Sequence, residues 1–303
     1  MTPASAARQA LFAGARSNRH FASDARPRRL VRYLCDEEDV LKYAMQFLGD
    51  REGVCVEGDI FDPPSLTELN RTVKIRREQI RSPIDPPIIL GTGLNYKRHA
   101  AECGLAIPEV PILAFFKQPT AVQHPFLPIK IPACCDPTRP EVDWEVELAI
   151  IIGKQCKDVS TDDAMKHVLG YTVANDVSAR LWQTDIARTG GQWNKGKGFD
   201  TFCPLGPALV LQENGFDPHC LGLSLSVNGE TMQSSNTSDF VFSIGEVVSF
   251  LSKGTTLMPG TVILTGTPEG VGMFQKPNPI YLKPGDYVSA FIDGIGFLEN
   301  DVE

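Results

Sequence analysis

The segment Asp143-Trp-Glu-Val-Glu-Leu-Ala-Ile-Ile-Ile152 constrains the fold of this chain more than any other. Its last five residues, Leu148 to Ile152, form an unbroken apolar run. That is the pattern of a strand covered on both faces, and so of a strand inside a sheet. Immediately before the run, Glu145 and Glu147 stand two apart. In an extended chain this spacing puts both on one face, while Trp144, Val146 and Leu148 take the other. Glu141 and Asp143 fall on the acidic face too. On pattern alone the alternation also fits the solvated face of an amphipathic strand. The apolar run argues for more, because glutamates at the edge of a core are costly unless a cation or a proton neutralises them.

A third carboxylate, Asp176, lies in Asn175-Asp-Val-Ser-Ala-Arg180. Together Glu145, Glu147 and Asp176 read as a divalent-metal site. Oxygen donors with no Cys or His at useful spacing point to a hard cation, Mg2+ first and Mn2+ or Ca2+ behind it, and argue against zinc. Three carboxylates on a six-coordinate ion leave roughly three positions for water or substrate oxygens, which is an open, catalytic kind of site.

With 303 residues, 42% of them hydrophobic, the chain can bury the core of one large domain with a small appendage. A net charge of -8 disfavours nucleic acid or an anionic membrane surface as partner. No apolar run approaches the roughly 18 residues of a spanning helix, so a soluble protein is expected. Charge is uneven at the start: Arg8, Arg16 and Arg19 precede the first acid, Asp24, in a Lys-free stretch rich in Ala and Ser. Residues 1–25 therefore resemble a mitochondrial transit peptide, addressed to the matrix. The alternative is a tail without an address on a cytoplasmic protein. The eight cysteines include no Cys-x-x-Cys pair, so reduced thiols used in packing are expected.

Ser65-Leu-Thr-Glu68 has the form of a capping box and predicts a helix running through Arg71 to Arg81. Pro83, Pro86 and Pro87 would end it and mark a boundary between a small N-terminal region, residues 26–85, and a catalytic domain, residues 86–303. Beyond that boundary the chain reads as short strands punctuated by Gly and Pro. Ser160 should cap a helix reaching about Leu169, and Ser243-Ile-Gly-Glu246 a second one stopped at Gly254. Thr261 to Thr265 reads as a strand, and Tyr287 to Asn300 as two strands folded at Asp293-Gly294. The fold class expected is α+β, mainly β and largely antiparallel.

His99 and Glu102 stand three apart, on one face of a helical turn, where a carboxylate can fix and strengthen an imidazole. Lys197 lies among glycines in Trp193-Asn-Lys-Gly-Lys-Gly-Phe-Asp-Thr201, where backbone can approach a ligand. Taken in order, Gly93-Leu-Asn-Tyr-x-x-His99, Asp143-Trp-Glu-x-Glu-Leu148, Gly170-Tyr-x-x-x-Asn-Asp-Val-Ser-Ala-Arg180, Gly196-Lys-Gly-Phe-Asp-Thr201, Val227-Asn-Gly-Glu230 and Leu264-Thr-Gly-Thr-Pro268 resemble the fumarylacetoacetate hydrolase superfamily over about residues 88 to 303.

The resemblance implies a mixed β-roll catalytic domain, a homodimer, and Mg2+ held by Glu145, Glu147 and Asp176. It places His99 and Glu102 on a lid as the catalytic dyad. Lys197 matches a lysine that contacts substrate, Gln183 and Thr267 match substrate-contacting positions, and Arg180 is a further candidate for binding a substrate carboxylate. The substrate class implied is an enolisable 2-oxo acid. Within the superfamily the resemblance favours a group that tautomerises oxaloacetate in mitochondria. Carbon-carbon hydrolysis of acylpyruvates and oxaloacetate decarboxylation are the alternatives, and a non-catalytic metal-binding member is the minor one.

Overall fold

The computed structural model describes residues 27–50, 52–135, 138, 141–212 and 216–303. The expected transit segment, residues 1–25, lies outside them. In chain order the strands are β1 (Arg28–Cys35), β2 (Val40–Phe47), β3 (Glu52–Glu57), β4 (Thr67–Lys74), β5 (Ile80–Arg81), β6 (Ile89–Gly93), β7 (Ile112–Lys117), β8 (Val122–Gln123), β9 (Val142–Asp143), β10 (Val146–Ile152), β11 (Val168–Asn175), β12 (Ser178–Ala179), β13 (Cys203–Leu211), β14 (Gly222–Val227), β15 (Glu230–Asn236), β16 (Val262–Leu264), β17 (Tyr287–Ile292) and β18 (Gly296–Asp301). The large sheet runs β4-β3-β2-β1-β13-β11-β10-β16-β6-β7, with β5 on β1 and β8 on β13. A smaller sheet runs β15-β14-β17-β18, and β9 pairs with β12. Only β16 with β6 and β8 with β13 are parallel among the described strand pairs, so the sheet is mixed and largely antiparallel, as expected.

The apolar run does what its pattern requires. β10 lies between β11 and β16, and every one of its residues is buried. On one face Val146, Leu148, Ile150 and Ile152 pack with Tyr171 and Val173, with Leu223, Leu225 and Val288 of the smaller sheet, and with Val247, Val248 and Leu251 of the helix Ile244–Ser252. On the other, Ala149 and Ile151 pack with Leu30, Ile89, Phe115, Leu205 and Leu209. By the alternation along β10, Glu147 shares this second face, which places a carboxylate beside two aliphatic layers.

Local signals held where tertiary packing agreed with them. Ser243 and Glu246 form the full capping box of the helix Ile244–Ser252, and Gly254 takes a φ of +66° just beyond it. β17 and β18 fold back on each other beside Asp293-Gly294. Ser160 caps its helix through the Asp163 N–H, but the α-helix covers only Thr161–Ala164. A 3-10 turn, Met165–His167, follows, because the chain must enter β11 at Val168 to pair with β10.

The helix expected from Ser65 is absent, which corrects the capping-box reading. Pro63–Ser65 make one 3-10 turn, Ser65 Oγ bonds Asp59 instead of a following amide, and Thr67–Lys74 is the strand β4 paired with β3. Long-range pairing with β3 outweighs a local signature worth about 1 kcal/mol. β1 pairs with both β2 and β13, so the large sheet continues across the Pro83 to Pro87 segment. No helix of the described residues is long and apolar enough to cross a membrane.

Candidate active site

Glu145, Glu147 and Asp176 come together, the first two by strand spacing and Asp176 through the fold. Each is buried and offers one oxygen, and these oxygens lie within 4.8 Å of one another. Two backbone links set the geometry: Asp176 N donates to Glu145 O at 2.8 Å, and Glu145 N donates to Asn175 Oδ1 at 3.0 Å. The turn that follows β11 is thereby tied to the residue just ahead of β10.

The three carboxylates are not equivalent. Burial raises the Glu145 pKa, but Lys197 and Arg180 outweigh it and hold the group down at about 2. Its Oε1 is 2.7 Å from Arg180 Nη1 and its Oε2 is 2.8 Å from Lys197 Nζ. Asp176 has Lys117 Nζ at 2.7 Å from Oδ1 and Lys197 Nζ at 2.5 Å from Oδ2. Glu147 has no ion-pair partner among the described residues; its Oε2 accepts only from Gly266 N, at 2.6 Å. Burial, with Asp176 and Glu145 beside it, pushes its pKa well up. A buried carboxylate in that condition takes a proton or a cation. The donor set is oxygen only, so the residues fit a hard divalent ion.

Lys197 ends the short helix Asn194–Lys197 and is buried. The glycine before it has a definite cause: a Cβ on Gly196 would stand 2.5 Å from Gln183 N and 2.8 Å from Ala179 O. Gly196 therefore serves close packing against the helix Arg180–Thr184. The two carboxylates outweigh burial and raise the Lys197 pKa, so it is an ammonium.

Arg180 and Gln183 lie on that helix, and both are buried. Arg180 is committed to protein carboxylates: Nε and Nη2 each stand 2.8 Å from Asp143 Oδ2, and Nη1 bonds Gln183 Oε1 at 3.0 Å as well as pairing with Glu145. Asp143 is itself fixed by the Gly272 and Met273 amides. It is thus an anchor for Arg180, a role the alternation could not assign. Thr267 Oγ1 donates to Val146 O at 3.1 Å and accepts from Gln233 Nε2 at 2.8 Å.

His99 and Glu102 lie on the helix Lys97–Glu102, as the three-residue spacing predicted, with His99 Nδ1 2.9 Å from Glu102 Oε2. Glu102 is steadied by Gly270 N on its other oxygen, at 2.9 Å. Burial disfavours the imidazolium, yet Cys103, Glu102 and the charge of Glu145 outweigh it and raise the His99 pKa to about 9. Cys103 Sγ lies 3.6 Å from His99 Nε2. All eight cysteines are free thiols, but this one touches the dyad and so departs from a packing role.

Lys117 was missed by sequence reasoning. Its only signal is a lysine closing the apolar strand Ile112–Lys117, two residues from buried Phe115 and hence on the same face.

A family description, fumarylacetoacetate (FAA) hydrolase C-terminal, matches residues 88–303. The chain belongs to the fumarylacetoacetate hydrolase family. It is an enzyme of isomerase or hydrolase type within that family, which is metal-dependent. A Dictyostelium discoideum protein named fumarylacetoacetate hydrolase domain-containing protein 2 homolog is 47% identical over 242 residues, 77% of each chain. The Bos taurus protein named oxaloacetate tautomerase FAHD2A, mitochondrial, is 49% identical over 217 residues, 72% of this chain and 67% of that one. Among solved structures of the family, 2-hydroxyhepta-2,4-diene-1,7-dioate isomerase from Mycobacterium marinum superposes with a TM-score of 0.74 at 36% identity, covering 91% of this chain and 98% of the other.

Proposed function

We propose that this enzyme is a Mg2+-dependent oxaloacetate keto-enol tautomerase of the mitochondrial matrix. The observation that carries the reading is the buried cluster of Glu145, Glu147 and Asp176 with the Lys197 ammonium against it. Relatives named mitochondrial oxaloacetate tautomerases support the substrate and the compartment.

The residues that would hold the ion are Glu145, Glu147 and Asp176. A bound Mg2+ would supply a Lewis acid for two oxygens of a 2-oxo acid, lowering the cost of the negative charge that accompanies transfer of a proton at C3. In the enol-to-keto direction C3 gains a proton and the C2 hydroxyl loses one. His99, an imidazolium below about pH 9, is the donor to C3. Glu102 holds the ring through Nδ1, and Nε2, which has Cys103 Sγ 3.6 Å away, is the nitrogen assigned to the substrate. Water takes the C2 hydroxyl proton and returns one to the imidazole left on His99, while the Lys197 ammonium stabilises the oxygen that becomes the carbonyl. Arg180 keeps Glu145 oriented and ionised, and Gln183 and Thr267 are assigned to substrate contact from the family resemblance alone.

Acylpyruvate hydrolysis is the second reading, favoured by the same His99–Glu102 pair, because a carboxylate-backed imidazole can activate water. Protonation of His99 at neutral pH works against it. Pure Mg2+-loaded protein assayed against enol-oxaloacetate and a set of acylpyruvates, with products identified, decides between them. Turnover of acylpyruvates with no effect on enol-oxaloacetate would overturn the tautomerase reading.

The homodimer is part of the proposal. β7 ends the large sheet, and Leu105, Ile107, Val110, Ile112, Leu113 and Phe116 are exposed on or just before it. No Lys or Arg interrupts the chain between His99 and Lys117. Edge strands in monomers are normally blunted by charge, so this one fits a covered edge, and a second copy is the occupant proposed.

A further inference from the structure

Lys117 is buried to 1% exposure, and its ammonium touches four oxygens. One is Asp176 Oδ1, at 2.7 Å. The other three are main-chain carbonyls: Val177 O at 3.1 Å, Phe202 O at 2.7 Å, and Lys197 O. These carbonyls belong to the residue after the metal-site aspartate, to the catalytic lysine itself and to the turn leading into β13. A single ammonium therefore binds together both chain segments that carry Asp176 and Lys197. Phe115, on the same face of β7, lies 5.8 Å from Lys117 Nζ and 4.8 Å from Lys197 Nζ, walling the two cations together.

The oxygens of the cluster sort into two sets. Glu145 Oε1 faces Arg180, Glu147 Oε2 accepts from Gly266 N, and Asp176 Oδ1 faces Lys117. Lys117 ends β7 and Arg180 opens the helix Arg180–Thr184, while Gly266 lies two residues past β16. The remaining oxygens of Glu145 and Asp176, Oε2 and Oδ2, both face Lys197 Nζ and so point to one shared place. A free carboxylate can give a divalent ion one oxygen or two. Both oxygens of Glu145 and of Asp176 face a cation here, but Lys117 Nζ is also held by three carbonyls, whereas Lys197 Nζ bonds the two carboxylates and is the cation that can yield its place to an ion.

We infer that Lys117 is a positioning residue that makes Asp176 a one-oxygen ligand. By engaging Oδ1 and clamping the backbone on either side, it presents Oδ2 alone to the ion and keeps a coordination position open for the substrate. The inference rests on the metal reading above and extends it to a residue that touches neither substrate nor ion. Three one-oxygen ligands on a six-coordinate ion leave about three exchangeable positions, which a two-oxygen Asp176 would cut by one.

The test uses Mn2+ as probe on full-length protein, counting metal-bound exchangeable water by magnetic resonance and titrating oxalate, a two-oxygen chelator, onto the Mn2+ complex. Wild-type protein should show about three exchangeable waters. Lys117→Met, similar in length but uncharged, should still bind Mn2+, show about one water fewer, and bind oxalate about tenfold more weakly. An unchanged water count and unchanged oxalate affinity in Lys117→Met would overturn the inference while leaving the metal site standing. Should Lys117→Met fail to fold, the wild-type count decides: about three waters supports the inference, and two or fewer overturns it. Absence of Mn2+ binding by wild-type protein would overturn the metal reading, and this inference with it.

Discussion

Lys197 Nζ lies 2.8 Å from Glu145 Oε2, so the lysine assigned to substrate also sits on an oxygen that a metal ion would use. It holds Asp176 Oδ2 in the same way, at 2.5 Å. The ammonium and the ion are therefore competitors for charge as well as partners in chemistry.

Lys197→Met should raise Mg2+ affinity and lower activity together. Like charges 4 Å apart repel by about 4 kcal/mol at an effective dielectric of 20, so a tightening of at least about tenfold is expected on removing the ammonium. Loss of the group beside the substrate oxygen should cost on the order of 10²-fold in turnover. Isothermal titration with Mg2+ and the decay of enol-oxaloacetate absorbance measure the two effects. Weaker Mg2+ binding in this variant would mean that Lys197 does not oppose the ion.

Glu145→Ala, Glu147→Ala and Asp176→Ala should each abolish most Mg2+ binding and activity, since each deletes one of three oxygen donors. Their stabilities should differ. Glu145→Ala takes one of two carboxylates from Arg180, which keeps Asp143, and one of two from Lys197, which keeps Asp176, and should cost about 1–3 kcal/mol, the usual cost of lost buried charged hydrogen bonds. Glu147→Ala removes a carboxylate without an ion-pair partner and should leave the metal-free protein at least as stable as Glu145→Ala. Denaturant melts in chelator report the order, and full activity in metal-free Glu147→Ala would sink the site assignment.

The pH dependence separates the two reactions. The His99 pKa is raised from 6.5 to about 9, so the stability it gains from Cys103, Glu102 and Glu145 is complete below pH 6.5 and is lost as pH rises through about 9. Proton donation by the imidazolium predicts tautomerisation that falls above about pH 9, whereas water activation by neutral imidazole predicts hydrolysis that rises toward it. Glu102→Gln removes a charge that supports the imidazolium and should move either limb to lower pH. His99→Ala should cost hydrolysis at least ~10²-fold and tautomerisation less, if Lys197 shares the transfer. Wild-type rates in both variants would reduce the dyad to a surface pair.

Residues 1–25 fused to a fluorescent reporter should direct it to mitochondria, because arginines carry all the positive charge there and the first acid is Asp24. Imaging beside an untagged control reads the result, and diffuse cytosolic signal would count against the address.

Val110→Asp should convert the proposed homodimer to monomer without loss of fold. It places a charge at the exposed segment leading into β7, where no base is near in sequence to offset it. Light scattering on both proteins checks this, and equal masses would move the contact elsewhere.

Much of the site was legible in the sequence because its signals are local. Glu145 and Glu147 share a face by the period of a strand, and His99 and Glu102 by the turn of a helix, so spacing alone foretold both contacts. The capping box at Ser243 was equally readable, since its partners lie three residues apart. The matching pattern at Ser65 misled for the opposite reason: β4 exists through hydrogen bonds to β3, which no short window contains.

The sequence by itself determined that acids would stand at the mouth of a doubly covered strand, and hence that a cation or a proton would have to neutralise them. Only the tertiary structure decided how that charge is shared. Lys117 meets Asp176 across 59 residues of chain, and Arg180 meets Asp143 across 37. A lone lysine at the end of an apolar strand carries no mark of its partner. Periodicity fixes which face a side chain takes, but only the stacking of β7, β11 and the Asn194–Lys197 helix brings opposite charges from distant segments to the same few ångströms.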